Sequence, residues 1–282
     1  MSTYTKFAII GAGGVGGTVA DELLKKGDAV SVAILTRDES KPELQAFKVR
    51  GATLHQVSYD DEEAVMRALA ASEVVVSTVS PYHMDVQKSV VPAAKAAGIQ
   101  LFVPAEYGAR VTEGPNAAKK EVQDLLTQHQ IPFTIFYTGL FAEILPHFLD
   151  YHYADGYMNV VGKGETVFSI TGRTDAGRFV AHVVSTAPKS ALEGAKIAFE
   201  AERLSPLQIR DLVEKKLDKK IEVRHVDYEA NKKKVDTGDF VAFITTLFEE
   251  GHGVVGTEQE VQEAAAKFFP DWNPAPYESF IA

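Results

Sequence analysis

The sequence predicts an α/β protein, a doubly wound parallel sheet in residues 1–150 followed by a smaller substrate-binding lobe in residues 151–282. Three observations predict it. Apolar runs of strand length alternate with amphipathic segments of helix length from the N-terminus to about residue 136. The runs are apolar throughout instead of alternating, as in strands covered on both faces by helices. A glycine-rich turn, Gly11-Ala12-Gly13-Gly14-Val15-Gly16-Gly17, joins the first strand to the first helix.

Residues 6–10 form the first apolar run. Val19, Ala20, Leu23 and Leu24 follow at helical spacing, and Gly27 stops that helix. Residues 30–35 and 52–57 give the second and third strands, with Leu44 and Phe47 turned inward from the charged helix between them. Asp60 or Asp61 caps a helix whose Ala64, Val65, Ala68 and Leu69 share a face, and the β-branched run Val74-Val75-Val76 is the fourth strand. A helix over 84–97 ends at Gly98; a strand at 101–103, a helix over 117–128 and a sixth strand at 133–136 complete the half. Strands separated by such helices pair in parallel through right-handed crossovers. After Gly139 the pattern loosens into an aromatic-rich stretch, short strands near Val160 and Phe168, and a helix from Thr174 or Asp175. Residues 195–199 read as a strand that returns to the main sheet. Ser205-Pro206 supplies a side-chain cap and a first-turn proline for a helix carrying Ile209, Leu212, Val213 and Leu217. A strand at 221–226 and helices at 240–248 and 258–269 follow.

Composition narrows the chemistry. With 282 residues and 45% hydrophobic content the chain can fill a substantial core. Its apolar stretches fall short of the roughly 20 residues that span a bilayer, and Met1-Ser2-Thr3-Tyr4-Thr5-Lys6 lacks the apolar segment of a signal peptide. A soluble, cytoplasmic protein without a membrane partner is expected. The absence of cysteine excludes disulfides, thiolate zinc sites and a cysteine nucleophile. A net charge of -10 opposes nucleic-acid binding, which needs a basic field. His147 and His152 lack the i, i+4 spacing of a helical zinc pair, so no metal is expected. No G-x-S-x-G turn is present, which disfavours hydrolase chemistry. The Tyr-x-x-x-Lys spacing occurs at Tyr228 and Lys232, read here as a chance match at a strand end.

The glycine turn satisfies G-x-G-x-x-G through Gly11, Gly13 and Gly16, and G-x-x-G-x-x-G through Gly11, Gly14 and Gly17. Either spacing lets the backbone around Val15 approach a pyrophosphate, which meets the unpaired N–H groups and positive dipole of the next helix. Its place between a strand and a helix marks a Rossmann dinucleotide site. The tip of the second strand selects the nucleotide: an acid there suits the ribose of NAD, a cation the 2′-phosphate of NADP. The chain reads Leu35-Thr36-Arg37-Asp38. Arg37 can grip a phosphate bidentately and stack on adenine, and Lys41 adds charge. The alternatives are a solvated Arg37 and an Asp38 that serves NAD. Asp38 lies one step beyond the expected strand tip, so NADP (NADPH) is the expected cofactor.

The glycine turn, Thr36-Arg37, Ser77-Thr78-Val79-Ser80 and Phe102-Val103-Pro104-Ala105-Glu106-Tyr107-Gly108 together resemble the NmrA-like and isoflavone-reductase-like group of atypical short-chain reductases. Members usually write Pro-Ser-Glu-Phe-Gly where this chain has Ala105 and Tyr107. The resemblance is good over residues 6–141 and fades beyond. It implies a reductase that passes hydride from NADPH to a small aromatic or conjugated molecule, of the phenylpropanoid or quinone kind, working as a monomer or homodimer. It places Thr78, Val79, Ser80, Pro104 and Glu106 beside the cofactor. In enzymatic members a lysine on the helix after the Pro-x-Glu-Phe-Gly segment moves a proton near the nicotinamide. Counted back from Ile131-Pro132-Phe133-Thr134, that lysine is Lys119, with Lys120 adjacent. Burial would disfavour its ammonium and ease proton exchange. Tyr107 is a second candidate donor and a substrate contact. Tyr82, Phe141 and Tyr151 are candidate substrate contacts, the last two from an aromatic set with Leu145, His147, Phe148 and Tyr153 whose alternative role is packing between lobes. The resemblance also admits a different class, an NmrA-type regulator that senses the dinucleotide and controls a protein partner, because fold alone does not fix function.

Overall fold

A computed structural model describes residues 2–282. In chain order the first stretch runs β1 (Lys6–Ile10), α1 (Gly14–Leu24), β2 (Ser31–Thr36), α2 (Pro42–Val49), β3 (Thr53–Gln56), α3 (Glu62–Leu69), β4 (Val74–Ser77), α4 (Met84–Ala96), β5 (Leu101–Val103), α5 (Ala117–Gln128) and β6 (Ile135–Tyr137). Then come β7 (Leu140–Phe141), α6 (Leu145–Phe148), β8 (Tyr151–His152), β9 (Tyr157–Val161), β10 (Phe168–Thr171), α7 (Arg173–Thr186), α8 (Lys189–Leu192) and β11 (Lys196–Ala198). The chain ends with β12 (Glu202–Leu204), α9 (Pro206–Leu217), β13 (Glu222–Val226), α10 (Tyr228–Val235), α11 (Phe240–Glu249) and α12 (Glu258–Phe268). The chain divides into two compact units that interleave along the sequence. One holds Met1–Glu106, Asn116–Phe136 and Ala176–Ile197, the other Tyr107–Pro115, Tyr137–Asp175 and Ala198–Ala282.

In the first unit, five parallel strands lie in the order β3-β2-β1-β4-β5, with Ala8 opposite both Ala33 and Val75. All four residues of β4 are buried, as a strand covered on both faces must be. The core beneath joins Ile10, Val75, Val91, Phe102 and Leu126, none with measurable exposure. Asp61, one of the two expected caps, accepts the Ala64 N–H at 2.9 Å and starts α3. Beyond β5 the sheet continues only through a parallel bridge between Phe102 and Phe133. There the Pro132 carbonyl accepts the Phe102 N–H at 2.9 Å and the Phe102 carbonyl accepts the Thr134 N–H at 3.0 Å. β6 then pairs with β11, which is how residues near 195 rejoin the first unit. Gly177 of α7 is needed for packing on α1, since a Cβ there would sit 2.5 Å from the Thr18 Cβ.

The second unit contains two three-stranded sheets, ordered β12-β10-β7 and β13-β9-β8. Leu145, Met158, Phe168, Ile170 and Ile209 form its core. Ser205 caps α9 in a full capping box with Gln208, and Thr257 does the same for α12 with Glu260. The placement of Tyr228 and Lys232 at a strand end needs correction. Both lie on one face of α10, which Asp227 caps, and not at a strand end. Lys232 Nζ donates to the Tyr228 hydroxyl at 2.9 Å, and both engage Glu250 at the end of α11, so the pair clamps two helices together. Among the described residues no helix is long and apolar enough to cross a membrane.

Candidate functional site

The strand order reverses direction between β1 and β4, and the loops leaving their C-terminal ends open a crevice there. The glycine turn fills one side of it. Gly11 adopts φ +87°, which an L side chain resists. A Cβ on Gly16 would come within 2.2 Å of both the Gly11 carbonyl oxygen and Thr78 Oγ1, so the turn closes on itself only with glycine there. A Cβ on Gly13 would meet nothing within 4 Å, which leaves that face open. Gly13 is also the N-cap of α1, with no side-chain cap and no acidic residue in the first turn. The first N–H groups of an eleven-residue helix, those of Gly14 and Val15 among them, are therefore aimed outward without a side-chain acceptor. These features make a cradle for an anion.

Thr78 acts inside this cradle. Its hydroxyl donates to the Gly11 carbonyl at 2.5 Å and its N–H to the Ile10 carbonyl at 2.9 Å, which pins the end of β4 to the turn. Val79 is half-buried against the core, while Ser80 is exposed with its hydroxyl 2.8 Å from His83 Nδ1. Tyr82 beside it is 89% exposed.

At the tip of β2 Arg37 and Asp38, the residues of the two nucleotide readings, differ in their engagement. Asp38 Oδ1 accepts the Ser40 N–H at 2.9 Å and the Ser40 hydroxyl at 2.6 Å. These donors hold its carboxyl below the usual carboxylate range. The Thr36 hydroxyl accepts the Asp38 N–H at 3.1 Å and completes a local turn. Asp38 is thus engaged within its own loop, while Arg37 is exposed and makes no ion pair among the described residues. Tyr59, which the sequence reading missed, sits underneath. Its hydroxyl donates to the Leu35 carbonyl at 2.9 Å, and burial pushes the phenol up to about 12 against the opposing charge of Arg37. Lys41 is exposed at the start of α2.

The end of β5 holds a second group of polar residues. Pro104 and Ala105 are buried, and the Ala105 N–H donates at 2.8 Å to Oε1 of Gln87, a fully buried amide on α4. Lys119 Nζ donates to the Glu106 main-chain oxygen at 2.6 Å and lies 3.4 Å from Glu106 Oε2. The two side chains are only 15% and 1% exposed. Burial lowers the Lys119 pKa from the ordinary lysine value, and the Glu106 carboxylate opposes that shift. Gln123 Nε2 donates to the other carboxylate oxygen at 2.5 Å. Lys119 and Gln123 are four residues apart and so share a face of α5 with buried Val122 and Leu126. Gln87 and Gln123 were both legible in principle, as polar residues at core positions of an amphipathic period.

The remaining candidates fall in the second unit. Tyr107 has a buried hydroxyl without a hydrogen-bond partner among the described residues, and burial raises its pKa. Phe141 is half-buried, with the Arg173 guanidinium 5.7 Å above its ring. Tyr151 is 7% exposed and packs beside Tyr153, whose hydroxyl meets that of Tyr277 at 2.8 Å. With Phe168, Thr245 and Phe248, Tyr151 walls a cavity of about 20 Å³, room for a water but not for an aromatic ring.

The chain aligns with the oxidoreductase aprR of Aspergillus flavus at 30% identity over 186 residues, 61% of each chain and so less than two thirds of that relative's length. It aligns with a phenylcoumaran benzylic ether reductase of Pinus taeda at 25% identity over 96% of both chains. Among solved structures, leucoanthocyanidin reductase from Vitis vinifera in complex with NADPH superposes with a TM-score of 0.83 at 22% identity, covering 97% of each chain. The quinone oxidoreductase QOR2 of Escherichia coli complexed with NADPH gives 0.79 at 20% identity over 98% of each. These likenesses establish a Rossmann-like fold. The model of the NmrA-like family matches residues 3–281, well past the point near residue 141 where the motif resemblance fades, and the chain belongs to that family.

Proposed function

We propose that the chain is an NADPH-dependent reductase that passes hydride to a small aromatic or conjugated molecule. The observation that carries this reading is the buried ammonium of Lys119 at the same sheet edge as the open glycine cradle. β1, β4 and β5 run parallel, so the loops after all three emerge at one edge. With β4 alone between β1 and β5 in the sheet, their ends are about 10 Å apart at ordinary strand spacing. The names of the relatives support the reading, since they are oxidoreductases and reductases of aromatic compounds.

The residues fit the cofactor. The amides opening α1 receive the diphosphate, Gly13 leaves the approach clear, and exposed Arg37 offers its cation to the 2′-phosphate. A nicotinamide held at this edge supplies the hydride. Lys119 keeps a proton at Nζ in a water-poor position where its release is eased, and the Glu106 main-chain oxygen fixes the direction of the amine.

The test is loss of NADPH absorbance with a panel of quinones, enones and phenylpropanoid ethers. Consumption with at least one class is expected. Tight binding of both reduced and oxidised cofactor with no turnover of any compound would instead establish a nucleotide-sensing regulator. For the nucleotide preference, Arg37→Ala weakens NADPH binding by about 10- to 100-fold and leaves NADH unchanged, as loss of a charge-assisted phosphate contact requires. Equal NADPH affinity in the variant and wild type, measured by fluorescence titration, contradicts the assignment of Arg37.

A further inference from the structure

We propose that Glu106 is the positioning residue of this site: its buried carboxylate, oriented by Gln123, faces the Lys119 side-chain nitrogen and holds it in place. This rests on the reductase reading for its catalytic meaning, while the geometry stands by itself. The Glu106 side chain is 1% exposed, yet among the described residues only one carboxylate oxygen has a hydrogen-bond donor, the Gln123 amide at 2.5 Å. The other, Oε2, is buried without a hydrogen bond and sits 3.4 Å from Lys119 Nζ. An isolated buried carboxylate is costly, and so is an isolated buried ammonium; facing each other, each lowers the cost of the other.

The amine is held twice by the same residue. The Glu106 main-chain oxygen takes one N–H at 2.6 Å, and the side-chain carboxylate faces the nitrogen from a second direction. The other charged groups on this part of α5 are engaged elsewhere, Lys120 with Asp124 and Glu121 with Lys88 of α4. Glu106 is accordingly the charged neighbour that counters burial at Lys119. Gln123 supplies orientation without charge. Its single donated hydrogen bond fixes which carboxylate oxygen is left facing the lysine.

The family resemblance places Glu106 beside the cofactor, and the proposal adds a role exerted through Lys119. The test reads the amine directly, without requiring turnover. In protein carrying ¹³C-labelled lysine, the Lys119 Cε resonance is assigned by its loss in Lys119→Arg, and its titration is followed in wild type, Glu106→Gln and Gln123→Leu. The Lys119 midpoint falls by about one to three pH units in Glu106→Gln, the usual effect of an opposite charge at this range. Gln123→Leu, which keeps the carboxylate but frees it to turn, moves the midpoint the same way by less. Glu106→Asp, which restores the charge, brings it back toward wild type. An unchanged or raised midpoint in Glu106→Gln overturns the proposal, and if that variant does not fold, an unchanged midpoint in Gln123→Leu does so. Failure of every compound in the reductase panel would remove the catalytic reading yet leave this titration result standing, so the two failures are separable.

Discussion

Lys119→Met lowers kcat for NADPH consumption by about 10²- to 10⁴-fold, the usual contribution of a positioned proton donor, while NADPH affinity stays within about threefold. Methionine keeps most of the apolar stem but removes the nitrogen that donates to the Glu106 carbonyl. The same change strands the Glu106 carboxylate, which is 1% exposed, and costs roughly 3–5 kcal/mol of stability, because removing one partner of a buried pair leaves an uncompensated charge. Lys119→Met/Glu106→Gln therefore recovers most of the lost stability in thermal melts without recovering activity. A single variant that is both stable and active would show that Lys119 is an ordinary helix lysine. If activity is lost only in step with stability, the residue is structural.

The second large effect is at the glycine turn, where two substitutions of the same chemistry both weaken nucleotide binding but differ in their effect on stability. Gly16→Ala places a methyl where the Gly11 carbonyl and Thr78 Oγ1 already lie at 2.2 Å, so the turn opens. The expected cost is about 1–3 kcal/mol of stability from overpacking, accompanied by loss of nucleotide binding. Gly13→Ala meets no atom within 4 Å and leaves the melting temperature nearly unchanged. It nevertheless puts its methyl on the open face of the cradle and weakens NADPH binding by about tenfold or more, roughly 1.4 kcal/mol. If Gly13→Ala bound NADPH as wild type does, the diphosphate would not lie against this turn.

The first unit was largely legible in the sequence because its signals are local. Each strand is a short apolar run next to the helix that covers it, and Asp61 and Gly98 mark boundaries within a residue or two of those observed. Sequence favoured Arg37 over Asp38 because Asp38 lies one step beyond the strand tip; what it did not show is Ser40, whose two donors engage Asp38. Interactions between distant residues were the least visible. Gln87 meets Ala105, Gln123 meets Glu106 and Gly177 admits Thr18, and no periodicity links such partners. In the second unit, β7, β8 and β12 are two or three residues long and owe their existence to non-local pairing. The Tyr228 to Lys232 segment was misread because its helix follows directly on β13, with only Asp227 to mark the change. Tyr151 belongs to an aromatic set by its neighbours in sequence, and the partners it shares a cavity with, Phe168 and Phe248 among them, are ones that sequence does not show.

Nucleotide binding depends most on the main-chain amides that follow β1. Titration calorimetry of the wild-type chain with NADPH and with NADH, run at two temperatures so that a zero enthalpy cannot hide binding, addresses them directly. One nucleotide bound per chain, with NADPH clearly tighter than NADH, is the predicted result. Absence of heat with both nucleotides at both temperatures would contradict it.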